Sequence, residues 1–179
     1  MKTIGKILVA VVLIATLSAC GYGFRDRGAS APPGVSTIAI PVFGNKTNES
    51  AIGMTLTRDV QYEFTRSKAL NLVDKENADA VLSGVVESIK EVTISHTARY
   101  NAGERLVVIK LKSTLMRRDG RVLWSETLLD QEAYRVVSSD DPDIDLEIKS
   151  VTEKNRMAAI RIMSKRFAEA IINRTLDKF

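Results

Sequence analysis

The chain contains one cysteine and one histidine among 179 residues. A single cysteine, Cys20, cannot form an internal disulfide bond, and with only His96 beside it the chain cannot supply the Cys/His ligand set of a zinc site. The sequence patterns of P-loops, dinucleotide-binding GxGxxG loops, HExxH metalloproteases and GxSxG hydrolases are also missing. We therefore predict that the protein is not an enzyme and that it binds no metal and no cofactor.

The sequence also lacks a block of five or more basic residues. It has 26 Lys and Arg against 22 Asp and Glu, a formal charge of +4, and two of the positive residues, Lys2 and Lys6, lie in the first 19. Without residues 1–19 the balance is 24 basic against 22 acidic, which gives +2. Such an even balance does not favour nucleic acid as a partner. With 45% hydrophobic and 27% charged residues, the composition is that of a globular domain.

The N-terminus has the three-part layout of a secretory signal peptide. Lys2 and Lys6 provide the positive start, residues 7–17 form an uncharged apolar run, and Ser18 and Ala19 are small. The run is shorter than the roughly 20 residues of a spanning helix, although an N-terminal membrane helix is the alternative. We expect residues 1–19 to be cleaved as a signal peptide.

The four residues L-S-A-C that end this run resemble the bacterial lipobox, whose cysteine becomes the first residue of the mature protein. In such proteins the thiol carries a diacylglycerol and the new amine an acyl chain such as palmitate. We predict that Cys20 carries this covalent lipid. Gly21 follows it rather than Asp, which in similar lipoproteins favours the outer membrane and a periplasm-facing orientation. Residues 20–34 form the lipid anchor and tether, which ends in the turn signal P-P-G.

The mature chain after the tether reads as one domain, residues 35–179. Residues 37–43 are rich in β-formers, and residues 44–48 read as a polar loop. Ile52, Leu56, Val60 and Phe64 recur at helical spacing within residues 50–68, with Asn48 or Ser50 as candidate caps. Residues 70–73 are a brief strand candidate.

Three long strand-like segments follow, at residues 80–98, 104–118 and 121–137, and the Asp119-Gly120 pair between the last two favours a hairpin turn. Helical periodicity then covers residues 144–176. The order is β-α-β-β-β-β-α. We predict an α+β fold, a two-layer sandwich with two helices packed on one face of a mostly antiparallel sheet of long strands.

Arginine clusters fall at the two ends of the predicted three-stranded meander. Arg99, Arg105 and Arg135 lie at the loop end, and Arg117, Arg118 and Arg121 lie at the hairpin end. A guanidinium group pairs well with phosphate because its N–H groups can bond two phosphate oxygens at once. Each cluster is either a phosphate-binding site or a solvated strand end.

The order of motifs resembles the LptE family of lipopolysaccharide-assembly lipoproteins. The matching segments are C-G-Y-G-F-R, P-P-G-V-S-T-I-A-I-P-V-F, L-V-D-K-E-N-A-D-A-V-L-S-G, D-G-R-V-L-W and the long closing helix, which together cover most of the mature chain. Tyr22, Phe24 and Arg25 match the opening segment of the family, where we expect contact with the membrane or a partner.

The resemblance implies a protein that sits as a plug inside the outer-membrane β-barrel LptD. Such proteins help the barrel assemble, help insert lipopolysaccharide into the outer leaflet, and are thought to bind lipopolysaccharide through basic residues. Arg99 falls at the loop where the family has a basic residue, and Arg105 and Arg135 complete the predicted lipopolysaccharide site. The second basic family position falls in S-S-D-D here, so Arg135 or Lys149 would have to replace it.

A different class of protein fits part of the same pattern. The run I-A-I-P-V-F-G-N-K-T and the segment D-K-E-N-A-D-A-V-L-S-G also look like periplasm-facing lipoproteins of secretion channels or activators of peptidoglycan synthases. The long meander favours the first reading, and a lipid-anchored hydrolase is a third, weakly supported class.

Overall fold

The structure is a computed structural model, and it describes residues 31–97, 102–137 and 145–176. The elements are β1 (Thr37–Ala39), β2 (Gly44–Asn45), α1 (Ile52–Ser67), β3 (Asn71–Leu72), a 3-10 turn (Lys75–Asn77), β4 (Ala80–Thr97), β5 (Ala102–Arg117), β6 (Val122–Val137) and α2 (Asp145–Leu176). The predicted signal peptide and lipid anchor lie outside the described residues.

The strands form one sheet in the order β3-β1-β4-β5-β6, and β2 pairs with β4 next to β1. The short strands pair in parallel, whereas β4, β5 and β6 form an antiparallel meander of 16 to 18 residues per strand. Strands of this length are roughly three times the usual 5–6 residues. The predicted α+β fold with a mostly antiparallel sheet of long strands is confirmed.

Both helices pack on the same face of this sheet. Along β5 the side chains Val107, Ile109, Leu111 and Leu115 are fully buried, while the intervening lysines point to the opposite face, as the two-residue period of a strand requires. The predicted stripe of α1 is buried against them, and α2 contributes its own apolar stripe. The core side chains of the helices are Ile52, Leu56, Val60, Phe64, Ile160, Met163, Phe167 and Ile171.

Phe43 connects β1, β2 and α1 to the sheet and depends on two close backbone approaches. Its ring lies over Gly84 of β4, where an added Cβ would come within 2.4 Å of the ring, and its carbonyl oxygen would lie 2.4 Å from a Cβ at Gly53. The hydroxyl of Thr57 accepts a 2.8 Å hydrogen bond from the Phe43 N–H. Glycine is therefore needed at positions 53 and 84 for Phe43 to pack between α1 and β4.

Asp79 fastens the start of β1 beside β4. Its Oδ2 accepts hydrogen bonds from the Ser36 N–H at 2.9 Å, the Ser36 hydroxyl at 2.9 Å and the Thr37 N–H at 3.0 Å. These bonds, the one from the Ser36 backbone first, hold the pKa of Asp79 well below its ordinary range. The Asp79 carboxylate thus holds Ser36 and Thr37 beside β4, just before the strand pairing of β1 with β4 begins at Ile38.

Two local predictions were wrong. The segment expected to be a loop contains β2, because Gly44 and Asn45 pair with Val85 and Val86. The helix is capped by neither predicted side chain, since its N-cap residue is Ala51. Within residues 37–43, β1 ends at Ala39, before Pro41, and it lies between β3 and β4.

Candidate functional site

Most residues that the sequence singles out for function lie outside the described part of the chain. Cys20, Tyr22, Phe24 and Arg25 precede residue 31, and Arg99 lies between β4 and β5 in the gap at 98–101. Their roles as lipid attachment site, membrane or partner contacts and lipopolysaccharide ligand remain predictions. The other two predicted site residues, Arg105 of β5 and Arg135 of β6, lie within the described residues.

Arg105 and Arg135 lie on opposite faces of the sheet. Arg105 pairs with Tyr134, and its neighbour Glu104 pairs with Arg135, so the two arginines are one register position apart. A shift of one residue along a strand moves the side chain to the other face. Arg105 therefore lies on the helix side and Arg135 on the uncovered side, and the structure does not bring them together.

On the helix side, Glu91 of β4 is the centre of a hydrogen-bonded network. Its Oε2 accepts a 2.7 Å bond from the Tyr134 hydroxyl and lies 3.7 Å from the Arg105 Nη1. Its Oε1 accepts a 2.7 Å bond from the Nε of Arg156 on α2. The same guanidinium donates to Glu49 at 2.8 Å, which ties the segment before α1 to α2. The network joins elements that are far apart in sequence.

The electrostatics of this network keep its groups in their ordinary charge states. Burial alone would raise the pKa of Glu91, but hydrogen bonds from Tyr134 and Arg156 outweigh it and lower the pKa. Burial and the bond to Glu91 raise the pKa of the Tyr134 hydroxyl. The cations here are already matched by carboxylates, so the network is better suited to fixing α2 on the sheet than to binding a free phosphate.

The arginines at the hairpin end also have structural partners. The guanidinium of Arg117 donates to the Pro33 carbonyl, and that of Arg118 donates to the Glu76 carbonyl. The backbone N–H of Arg118 donates to the Asp79 carbonyl at 2.8 Å. These bonds tie the turn between β5 and β6 to the segments before β1 and β4, which explains Arg117 and Arg118 without a ligand.

None of the described elements covers the sheet face away from the helices, and we call it the open face. It carries Lys90, Lys110 and Lys112 beside apolar side chains, of which Val92 is 52% and Leu129 is 69% exposed. Lys110 pairs with Glu87 at 2.9 Å, and this bond lowers the pKa of Glu87. The alternation of lysines along residues 106–114 was visible in the sequence, but their grouping across strands was not.

Neither a metal site nor a membrane span is found within residues 31–97, 102–137 and 145–176. No three His, Cys, Asp or Glu side chains of these ranges lie close enough together to hold a metal ion. None of the helices described there is both long enough and apolar enough to cross a membrane.

The model of one family, described as LptE: Lipopolysaccharide-assembly, matches residues 35–175. The chain belongs to the LptE family. This is a non-catalytic lipoprotein family, so the protein is an LptE-like lipoprotein. The family match favours this interpretation of the sequence over a lipoprotein of a secretion channel or an activator of a peptidoglycan synthase. The comparison with curated proteins returned no match.

Solved structures share this fold at low sequence identity. Lipoprotein B from Nitrosomonas europaea is 16% identical, with 87% of this chain and 90% of that chain covered and a TM-score of 0.53. A Xanthomonas campestris protein is 14% identical, with 82% and 87% covered and a TM-score of 0.51. At these identities the likeness concerns the fold alone.

Proposed function

We propose that this LptE-family protein is anchored by a lipid on Cys20 to the periplasm-facing side of the outer membrane. There it plugs the β-barrel LptD, assists the assembly of that barrel and helps insert lipopolysaccharide into the outer leaflet. The observation that carries the proposal is the match of the lipopolysaccharide-assembly family model over residues 35–175.

The shape of the domain supports a role as a plug. Strands of 16 to 18 residues extend for about 50 Å, and the helices cover only one side of them. The open face presents both apolar and basic side chains, a mixture typical of surfaces that contact a partner. A long, rigid sheet with one side free can lie against the inner wall of a barrel along its whole length.

The anchor has a physical role in this proposal. Each buried methylene contributes about 0.8 kcal/mol to membrane binding, so several acyl chains hold the protein far more firmly than one. The 15 residues from Cys20 to Gly34 reach at most about 50 Å when extended, which lets the domain leave the bilayer surface and enter a barrel lumen. Mass spectrometry of the mature N-terminal peptide tests the anchor: a lipid-modified Cys20 is expected, and a free thiol or a peptide that still contains Lys2 would refute it.

Co-purification tests the partner. A C-terminally tagged chain is expressed in its native host, and outer membranes are solubilised in mild detergent. We expect the tagged chain to recover an LptD-type barrel in about one-to-one stoichiometry, and a chain with Cys20→Ser, which cannot be lipid-modified, controls for membrane placement. Recovery of a secretion channel or a peptidoglycan synthase in place of the barrel would support the alternative function.

A further inference from the structure

The outer edges of the long strands β6 and β4 differ in how far other elements cover their backbone groups. The outer edge of β6 is covered by polar side chains of α2: Thr152 accepts from the Val137 N–H at 3.1 Å, Asn155 donates to the Arg135 carbonyl at 3.0 Å, and Arg166 donates to the Gln131 carbonyl at 3.1 Å. These bonds occupy backbone groups that would otherwise be free to pair with another strand.

Described elements cover the edge of β4 for less than half its length. β1 and β2 pair with its residues 80–86, and the last contact on this side is the Lys46 N–H to the Val86 carbonyl at 3.0 Å. Beyond Val86, no described strand lies on this side, while β5 continues along the other side to Thr97. From Ser88 onward, the edge of β4 therefore has no pairing partner among the described residues.

The register shows which backbone groups face outward at this edge. In an antiparallel pair, the backbone N–H and C=O groups of two directly opposite residues either all point toward the other strand or all point away from it. The backbone carbonyl of Gln131 on β6 points outward to α2. The backbone N–H and C=O groups of its partner Val108 therefore point toward β4, where they bond with those of Lys90. By alternation, the N–H and C=O groups of the other parity, those of Ile89, Glu91 and Thr93, point away from β5, and no backbone hydrogen bond to a described residue uses them.

A groove runs along the first part of this edge, where β2 has ended. A cavity of about 370 Å³ lies between residues 46–49 and residues 87–91, with Arg156 at its side. Two large apolar side chains further along, Val92 and Ile94, are 52% and 54% exposed. Lys90 makes no ion pair with another described residue, so the rim carries an unmatched positive charge.

We propose that the free edge of β4 from Ile89 to Thr93 binds an extended strand of the barrel partner by main-chain hydrogen bonds. Unpaired backbone donors and acceptors in a row are best satisfied by another backbone, and the exposed Val92 and Ile94 supply side-chain contact. The unmatched Lys90 favours an acidic side chain on the partner strand. The proposal rests on the proposed function, because the partner is the barrel named there.

Proline substitution at this edge tests the proposal. Thr93→Pro removes an outward N–H and leaves the bonds of β4 to β5 in place, since proline is tolerated where the N–H of an edge strand faces outward. Ala133→Pro is the matched control, because Ala133 has the same outward parity on β6 at the edge that α2 covers. We expect Thr93→Pro to lower the recovered barrel at least tenfold and Ala133→Pro to leave it unchanged. Equal recovery with both variants would overturn the proposal.

Hydrogen exchange on the unmutated complex gives a readout that needs no variant. The amides of Ile89, Glu91 and Thr93 should exchange at least tenfold more slowly in the complex than in the free chain. If these amides do not exchange more slowly in the complex, the proposal is overturned. It is also overturned if they are already protected in the free monomer, which would assign the edge to the chain's own N-terminal segment. Protection that is lost when the chain is diluted without the barrel would overturn it too, because it would assign the edge to a second copy of the chain. If the wild-type chain recovers no barrel at all, the proposed function itself fails.

Discussion

Arg156→Met should weaken the attachment of α2 to the sheet, because Arg156 donates hydrogen bonds to carboxylates on three different segments. The Arg156 side chain is only 16% exposed and donates to Glu91 at 2.7 Å, to Glu49 at 2.8 Å and to Glu153 at 3.1 Å. Methionine keeps much of the apolar stem but removes every donor. Glu49 then stays partly buried without the cation that it pairs with, and Glu91 keeps only the more distant Arg105, at 3.7 Å.

The cost can be worked out bond by bond. A hydrogen bond to a charged group contributes about 1.5–3 kcal/mol when buried, and partial exposure reduces this. Glu91 and Glu49 are 33% and 22% exposed, so each can recover some hydration when Arg156 is removed. The pair with Glu153, one turn away on the same helix and 58% exposed, contributes about 0.3–0.5 kcal/mol at most. We expect a net loss of about 2 kcal/mol of unfolding free energy.

Thermal unfolding of the full chain in detergent, followed by circular dichroism, measures this loss. For a domain of this size, about 2 kcal/mol lowers Tm by about 4–8 °C. Arg66→Met is the matched control, because Arg66 is 62% exposed and pairs only with Glu63 on its own helix. The control should change the unfolding free energy by less than about 0.5 kcal/mol. If both variants unfold at the same temperature, the network does not hold α2 on the sheet.

Three further predictions follow from the fold and the resemblance. Gly84→Ala should cost about 2 kcal/mol of unfolding free energy, because its Cβ would lie 2.4 Å from the Phe43 ring, whereas Gly44→Ala, with its nearest atom at 3.4 Å, should cost less than about 1 kcal/mol; denaturant titration of both variants checks this, and equal costs would contradict the packing. The difference in unfolding free energy between the wild type and Asp79→Asn should be constant above about pH 5 and should shrink as the pH falls below 3.8, the ordinary pKa of the group, because a lowered pKa means that the folded state favours the ionised form. Unfolding curves of both proteins at several pH values check this, and a difference that is the same at every pH would refute it. Arg99→Glu should weaken lipopolysaccharide binding in a pull-down without changing Tm, and unchanged binding would remove Arg99 from the site.

Local patterns predicted the elements of the fold well. The four-residue spacing from Ile52 to Phe64 marks the buried side of α1, and the Asp119-Gly120 pair marks a turn in which Gly120 has a φ of +88°. The long alternating segments became β4, β5 and β6. Each of these signals depends on residues that are neighbours in sequence, which is why one sequence is enough to read them.

The arrangement of the site depended on contacts that a single sequence does not contain. Placing Arg105 and Arg135 at one end was correct, but a register difference of one residue separates their faces. Tyr134 and Arg156 lie 43 and 65 residues from Glu91 in sequence, and Ser36 lies 43 residues from Asp79, so no local pattern pairs them. The two-residue strand β2 was missed because two residues carry no periodicity.

Quantitative recovery of the tagged wild-type chain from outer membranes tests the central claim most directly. We expect one LptD-type barrel per chain, retained through a salt wash because the contact would bury a long sheet face and a strand edge. A chain recovered from the same membranes without any barrel would contradict it.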